Sequence, residues 1–144
     1  MIANIPAVSK GVLSKVSHFD SKAHVEEYIR SLGIGASFFR AGYYMSNLLS
    51  AIRPTGEPKT YSLALPNPTT APIPLFDTAA DSGKFIKAIL LAGSKTFGKT
   101  YNGSVAYKTP EEIVAEWSEV TGAKATAVVA DPEQWKAGDR KSVV

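Results

Sequence analysis

The sequence contains no cysteine among its 144 residues. Disulfides, thiolate metal sites and a cysteine nucleophile are therefore excluded. Histidine is nearly absent too, with only His18 and His24, so we predict no metal site. No apolar run approaches the ~20 residues needed to cross a bilayer, and the first residues lack the charged-then-apolar order of a signal peptide. We therefore expect a soluble protein of the cytoplasm or nucleus, without a membrane partner.

Basic residues are in small excess over acidic residues. The chain has 16 basic and 13 acidic residues and a net charge of +3, and its only basic cluster is Arg140-Lys141. Binding to a nucleic-acid backbone requires Lys and Arg side chains clustered on one face of the protein. We therefore do not expect nucleic acid as a partner. A hydrophobic content of 44% with 20% charged residues is typical of a globular protein. We predict a single domain over residues 1–144.

Helical and extended patterns alternate along the chain, which predicts an α/β fold. Helices are predicted where a capping residue precedes apolar residues at helical spacing: from Asp20 or Ser21 to Gly33, from Asp77, Thr78 or Asp81 to Gly93, from Pro110 to Gly122, and over 43–52. Strands are predicted over 36–40, 60–65, 100–106 and 125–130. A strand remnant and loop precede Ser17, and a last helical turn extends to Trp135.

The apolar residues of the three capped helices are expected to face a core. They are Ala23, Val25, Tyr28, Ile29 and Leu32 in the first, Phe85, Ile86, Ile89 and Leu90 in the second, and Ile113, Val114, Trp117 and Val120 in the third. The third helix has the clearest start, since Thr109-Pro-Glu-Glu112 fits a capping box. The stretch 66–74 carries four prolines, so we predict that it cannot supply a central strand.

Three segments together carry a family resemblance: HFDSKAHVEEYIRSLG (18–33), FFRAGYYMSN (38–47), and APIPLFDTAADSGKF (71–85) followed by TPEEIVAE (109–116). In this order and spacing they resemble the NmrA-like family of atypical short-chain dehydrogenases/reductases, from about residue 5 to about residue 135. The resemblance implies a truncated Rossmann-like domain, with a partial parallel sheet and flanking helices. It covers the C-terminal, substrate-side part of that family.

The family's dinucleotide cradle has no counterpart in this sequence. Relatives begin with a glycine-rich turn that seats the pyrophosphate at a helix N-terminus. No G-x-G-x-x-G pattern occurs, and Gly33 and Gly35 follow a helix rather than open one. We therefore expect no cofactor from this chain alone, and NADP or NAD only if the missing half is supplied.

Lys22 and His18 are the catalytic candidates that the resemblance implies. In classical short-chain dehydrogenases a Tyr-x-x-x-Lys pair holds the ribose and donates a proton. Here Lys22 matches the lysine, and His18, which can donate a proton near neutral pH, stands in place of the tyrosine. Four residues apart on a helix, both share one face. The alternative is that Lys22 is a solvated first-turn residue and His18 a capping or packing residue.

The segment from Arg40 to Asn47 corresponds to the family segment that lines the cleft. The resemblance implies contacts to substrate or cofactor from Arg40, Gly42, Tyr43, Tyr44 and Asn47, with Tyr44 as a further acid/base candidate. Gly42 permits close approach of the backbone. The alternative is an amphipathic helix whose aromatic residues pack in a core.

Members of the family that this chain resembles include NAD(P)-dependent reductases and dinucleotide sensors. The resemblance therefore implies two classes of function. One is a remnant that binds a small molecule or a protein. The other is an enzyme acting on a small apolar substrate, either a reductase completed by another chain or a cofactor-free isomerase or cyclase. A fragment without its own function is the third reading. A truncated sheet would leave an open edge near Val8, Phe38 and Phe39, so we expect a homodimer or a complementing chain.

Overall fold

The computed structural model describes residues 17–131, with side chains from residue 21 onward. Its elements, in chain order, are α1 (Ser17–Ser31), β1 (Phe38–Ala41), β2 (Tyr43–Tyr44), α2 (Met45–Ala51), β3 (Ile52–Pro54), β4 (Thr60–Leu65), β5 (Ile73–Phe76), α3 (Thr78–Ala92), a 3-10 turn (Gly93–Thr96), β6 (Thr100–Gly103), β7 (Ala106–Lys108), α4 (Pro110–Thr121) and β8 (Lys124–Val129). The predicted strand remnant before Ser17 and the helical turn through Trp135 lie outside the described residues.

Helices and strands alternate with parallel strand pairs, which confirms the predicted α/β class. The chain divides into two compact units. The first consists of the described residues up to Gly42 together with Thr78–Gly103, and the second of Tyr43–Asp77 together with the described residues from Ser104 onward. The assignment of 1–144 to one domain stays a prediction. Among the described residues no helix is long and apolar enough to cross a bilayer.

The first unit is built on the parallel pair β1 and β6. Phe38 lies opposite Thr100, and Ala41 lies opposite Gly103. Such a pair needs a long crossover connection, and α3 belongs to the same unit. Both predicted helix ends are confirmed, because Gly33 (φ +64°) and Gly93 (φ +56°) adopt the left-handed conformation that favours glycine.

The predicted buried faces of α1 and α3 are only partly correct. In α1, Ala23 is buried and Ile29 half-buried, whereas Val25, Tyr28 and Leu32 are exposed. The apolar spacing identifies a helix but does not say which side meets the sheet, and a polar side of α1 contacts the sheet through Glu26 and Arg30. In α3, Phe85 and Ile89 are half-buried, and the ring of Phe39 lies 5.5 Å from that of Phe85. Ile86 and Leu90 are exposed, against the prediction.

The second unit contains two three-stranded sheets, ordered β2-β5-β7 and β3-β4-β8. Strand β4 pairs antiparallel with β3 and parallel with β8, from Thr60 opposite Lys124 to Leu65 opposite Val129. The buried core of this unit comprises Ile52, Leu63, Leu65, Leu75, Ile113 and Val114. Leu63 and Leu65 alternate with less buried residues on β4, as a strand period of two requires.

Helix α4 confirms its predicted ends. Thr109 caps the helix: its side chain accepts a hydrogen bond from the Glu112 backbone N–H, and the Glu112 carboxylate accepts one from the Thr109 backbone. Gly122 ends the helix at φ +69°. Ile113 and Val114 are buried and Trp117 is half-buried. Val120 is 86% exposed, so its predicted burial is wrong.

Strand β5 agrees with the expectation for the proline-rich stretch 66–74, because the residues of that stretch in β5, Ile73 and Pro74, pair with β7 alone. Pro74 is opposite Tyr107 of β7, whereas the pairing with β2 starts only at Leu75. At Pro74 the strand therefore has a ladder neighbour on one side, and a missing N–H is tolerated at such an edge position.

Two predicted elements are each divided in the structure. The helix predicted over 43–52 is only α2, flanked by the short strands β2 and β3, and the strand predicted over 100–106 is broken at Ser104 into β6 and β7.

Candidate functional site

Glu26 of α1 joins two arginines in the first unit. Arg40, near the end of β1, donates from Nη2 to both Glu26 carboxylate oxygens at 3.0 and 3.2 Å. Arg30, one helical turn after Glu26, donates from Nη2 and Nε to Glu26 Oε1 at 2.8 and 3.1 Å. The carboxylate thus links helix α1 to strand β1.

The charged state of Glu26 follows from its partners. Only 11% of its side chain is exposed, and this burial by itself raises the pKa of the carboxyl. The hydrogen bonds from Arg30 and Arg40 outweigh that effect, and the pKa lies below its ordinary value. Glu26 is therefore ionised near neutral pH and forms ion pairs with both arginines.

Arg30 extends this network to strand β6. It donates to the Gly98 carbonyl at 2.8 Å and to Thr100 Oγ1 at 2.9 Å. Its guanidinium carbon lies 4.0 Å from the centre of the Phe38 ring, a cation–π contact. Sequence reasoning missed Glu26 and Arg30, although their spacing of four residues on a helix is a recognisable ion-pair signal.

Arg40 has a buried donor that the network does not use. Its Nε is buried and has no hydrogen-bond partner among the described residues. An unsatisfied buried donor costs about 1–3 kcal/mol, and this N–H could bond an oxygen of a ligand or of water. The structure thus gives Arg40 a protein partner in Glu26, and its role in ligand contact stays a prediction.

His18 and Lys22 both lie in α1, because the helix begins at Ser17 and not at Asp20 or Ser21. Their spacing of four residues places them on one helix face. The side chain of Lys22 is exposed, and that of His18 is outside the described side chains. Their catalytic roles stay predictions.

The remaining predicted residues follow β1 in the chain. The Gly42 N–H donates to the Gly103 carbonyl at 2.8 Å, which continues the β1–β6 ladder in the first unit. In the second unit Tyr43 is half-buried, packs against the core, and has its pKa raised by burial. Tyr44 is 44% exposed, and Asn47 is also exposed. Tyr43 thus packs against the core, but from strand β2 and not from a helix. Tyr44 and Asn47 are exposed, and the binding roles of all three residues stay predictions.

The second unit contains an apolar groove that sequence reasoning did not find. It has a volume of about 340 Å³. Helix α2 contributes Met45, Leu48 and Leu49, helix α4 contributes Ile113, Glu116, Trp117 and Val120, and the strands contribute Ile52, Leu75, Ala106 and Lys108. We call this set the apolar groove. Among the described residues its charged lining residues are Lys108 and Glu116, which form an ion pair with each other.

The geometry of the apolar groove suits a small molecule. Ligand pockets commonly measure ~300–1,000 Å³ and have mostly apolar walls with few polar groups. Trp117, whose ring centre lies 4.8 Å from that of Tyr61, gives the groove an aromatic wall. Sequence reasoning missed the groove because the helical spacing of Trp117 and Val120 predicted that both side chains pack in the core.

The described residues do not fit a dinucleotide pyrophosphate. Helices α2, α3 and α4 start after Tyr44, Asp77 and Thr109, and none of these helices is entered through a glycine-rich turn. Within residues 17–131 there is also no group of three His, Cys, Asp or Glu side chains able to hold a metal ion.

Helices alternate with parallel strand pairs, and this α/β arrangement is of the Rossmann-like class found in solved structures of NmrA. A family model described as the NmrA-like family matches residues 2–138. The chain belongs to this family, which confirms the resemblance in its sequence.

Solved structures of NmrA are similar to this chain. One is a double mutant of NmrA, which is 26% identical to this chain with a TM-score of 0.66. The match covers 74% of this chain and 34% of the NmrA chain. NmrA described as a negative transcriptional regulator in complex with NADP is 26% identical with a TM-score of 0.65, at 72% and 34% coverage. A complex of NmrA with NAD, 24% identical with a TM-score of 0.64, supports the fold. The chain spans about a third of the length of these relatives.

Proposed function

We propose that this chain is a ligand-binding member of the NmrA-like family that takes up a small apolar molecule in the apolar groove. The observation that carries the proposal is the groove itself, about 340 Å³ between α2 and α4 with a predominantly apolar lining. Transfer of apolar ligand surface from water into such a lining is favourable by about 25 cal/mol per Å². The chain is proposed to act by binding, without a dinucleotide cradle of its own.

Lys108 and Glu116 narrow the chemistry of the ligand. They are the charged lining residues and are paired with each other, so the groove offers a donor and an acceptor but no uncompensated charge. A charged ligand group would break the pair and lose its own hydration. The ligand class is therefore an uncharged, ring-containing molecule with a hydroxyl or carbonyl substituent.

Fluorescence of Trp117 tests the proposal. The chain has two tryptophans, so Trp135→Phe leaves Trp117 as the only one. The probe is N-phenyl-1-naphthylamine, a neutral apolar fluorophore. We expect saturable binding with energy transfer from Trp117, because Trp117 lines the groove.

Two charge substitutions distinguish the groove from general apolar surface. Val120 lines the groove and is 86% exposed, whereas Leu90 on α3 is 74% exposed and lies in the first unit. Val120→Glu is expected to weaken probe binding about tenfold, a change of ~1.4 kcal/mol, and Leu90→Glu to leave it unchanged. Equal binding by both variants, or no saturable binding by the parent, would refute the proposal.

An enzymatic role is the second candidate, and one observation favours it: His18 and Lys22 share a helix and lie one turn apart. This pair would move protons in an isomerisation or cyclisation of a small apolar substrate. To test this role, the chain would be incubated with metabolite extract, and the compounds that it consumes would be identified by mass spectrometry. Loss of turnover in folded His18→Ala and Lys22→Ala variants is expected, and an unchanged rate in both removes them from the mechanism.

A further inference from the structure

A small pocket of the first unit lies where the loop after α1 meets the turn before β6. It measures about 220 Å³ and is lined by Arg30, Gly33, Ile34, Ala36, Phe38 and Gly98. We call it the Arg30 pocket. A Cβ added at Gly33 or at Gly98 would meet no atom within 4 Å, so the pocket is open above both glycines. Sites for drug-sized molecules measure ~300–1,000 Å³, and this smaller volume suits a ligand with a single ring.

Arg30 has an N–H donor that its protein partners do not use. Nη1 of an arginine carries two N–H groups, and among the described residues one of them is bonded, to the Gly98 carbonyl at 2.8 Å. Nε and Nη2 are engaged by Glu26 and Thr100. Because Arg30 lines the pocket, the second N–H of Nη1 is available to an oxygen atom of a ligand.

The charges around the Arg30 pocket do not balance. The Glu26 carboxylate pairs with both Arg30 and Arg40, so one negative charge faces two positive charges. Lys99, next to Gly98 in the chain, takes part in none of the ion pairs between described residues. This part of the first unit therefore has an excess of positive charge, which attracts an anion.

The loop after α1 supplies further donors. The backbone N–H groups of residues 34–36 have no hydrogen-bond acceptor within the part of the chain that the structure describes, and consecutive backbone N–H groups can bind an anion. The Arg30 carbonyl at the end of α1 accepts a hydrogen bond from the Gly33 N–H. This cap satisfies a carbonyl of the helix end that would otherwise oppose an anion.

Phe38 and Ile34 give the pocket apolar walls beside its cation. The guanidinium carbon of Arg30 lies 4.0 Å from the centre of the Phe38 ring, and Ile34 is 60% exposed. A ligand that fills the pocket therefore meets a positive charge and apolar surface together.

The aromatic residues of β1 were also expected to mark an open sheet edge, near Val8, Phe38 and Phe39, that a second copy covers. Phe38 lies under Arg30, and Phe39 packs on Phe85, so both rings have contacts within their own chain. Val8 lies outside the described residues, and the homodimer stays a prediction.

We propose that the Arg30 pocket binds a small organic carboxylate whose apolar body is a single ring. The carboxylate accepts hydrogen bonds from Nη1 of Arg30 and from the loop N–H groups, and the ring lies against Ile34 and Phe38. All lining residues belong to the first unit, whereas the apolar groove belongs to the second and suits an uncharged ligand. This second site does not rest on the proposed function.

Titration of the ¹⁵N-labelled full chain with benzoate, followed by amide chemical shifts, tests the site. We expect saturable shifts at Ile34, Ala36 and Gly98. Benzamide has the same ring without the charge and should give no saturable shift at these residues. Acetate has the charge without the ring, and it should bind at least about tenfold more weakly because it buries little apolar surface.

Three variants locate the binding. Arg30→Gln removes the charged donor and should weaken benzoate binding at least about tenfold. Ala36→Leu keeps every charge and fills the pocket, so it should also lose binding, and it provides the test if Arg30→Gln does not fold. Arg53→Gln makes the same substitution at an exposed position of β3 and should bind like the parent. Circular dichroism establishes which variants are folded.

The proposal is wrong if the parent gives no saturable shift with benzoate, if benzamide or acetate binds as well as benzoate, or if folded Ala36→Leu binds like the parent. Equal weakening by Arg30→Gln and Arg53→Gln would overturn it too, because binding would then follow net charge and not the pocket. Binding of N-phenyl-1-naphthylamine should be unchanged by saturating benzoate, since the apolar groove belongs to the second unit. Competition between the two compounds would contradict two separate sites.

Discussion

Glu26 shows how one carboxylate can hold several side chains in place. It accepts hydrogen bonds from Arg30 and Arg40, and Arg30 in turn bonds Gly98 and Thr100. A single acidic residue on α1 therefore fixes side chains that contact β1 and the start of β6. Removing one partner from such a network leaves buried charge unpaired, which costs more than the net contribution of the intact pair.

The pH dependence of stability should report this role. The pKa of Glu26 is lowered in the folded state, so its stabilisation is complete above the unfolded value of about 4.3 and is lost as the pH falls through the lower folded value. Glu26→Gln should lower the free energy of unfolding near neutral pH by about 1–3 kcal/mol. The difference from the parent should shrink toward about pH 3 in urea titrations.

Glu57→Gln is the matched control, because Glu57 is exposed in the loop after β3. It should leave the free energy of unfolding unchanged at both pH values. A Glu26→Gln deficit that persists undiminished at acid pH would show that the carboxylate charge is not the cause.

At the scale of single elements, α4 is specified most completely by its local sequence. The capping box of Thr109 and Glu112, Pro110 in the first turn and Gly122 at the end are all present in the structure. The same hydrogen bonds from the Thr109 backbone and side chain lower the pKa of Glu112. These signals act within a few residues, so they can be recognised without knowledge of the rest of the fold.

Thr109→Ala should therefore destabilise the chain by about 0.5–2 kcal/mol, the usual cost of losing an N-cap side chain. Thr109→Ser keeps the hydroxyl and should retain most of the stability. Urea unfolding monitored by circular dichroism measures both. An alanine variant as stable as the serine variant would mean that the cap is dispensable for α4.

Elements between these strong signals were predicted less well. The segment 43–52 is rich in apolar and aromatic residues, and periodicity alone could not separate helix α2 from the short strands β2 and β3 on either side. Those strands form because Tyr43 pairs with Leu75 and Ile52 pairs with Leu63. Both partners are distant in sequence, so the boundaries were decided by tertiary contacts.

At the scale of the whole molecule, family membership and cofactor use are separate questions. The family model covers residues 2–138, and NmrA itself is described in complexes with NADP and NAD. This chain spans about a third of those proteins. Helices α2, α3 and α4 do not start with the glycine-rich turn that holds a pyrophosphate.

Calorimetric titration of the chain with NAD and with NADP should accordingly give no binding heat at millimolar cofactor. The physical reason is that a glycine-rich turn at a helix start, whose backbone N–H groups attract the pyrophosphate, does not precede α2, α3 or α4. AMP serves as the control for weak, non-specific nucleotide association. Saturable micromolar binding of either dinucleotide would show that other residues replace the cradle.

The sequence by itself determined the family, the α/β class, the ends of α4 and β4, and the glycine ends of α1 and α3. These features depend on residue order and on interactions within one or two turns. Tertiary structure decided which side of each helix is buried, since Val25, Tyr28 and Val120 share the helical spacing of core residues and are exposed. It also decided the Glu26 network and the apolar groove. Both join residues from distant segments, and local patterns carry no information about which segments will meet.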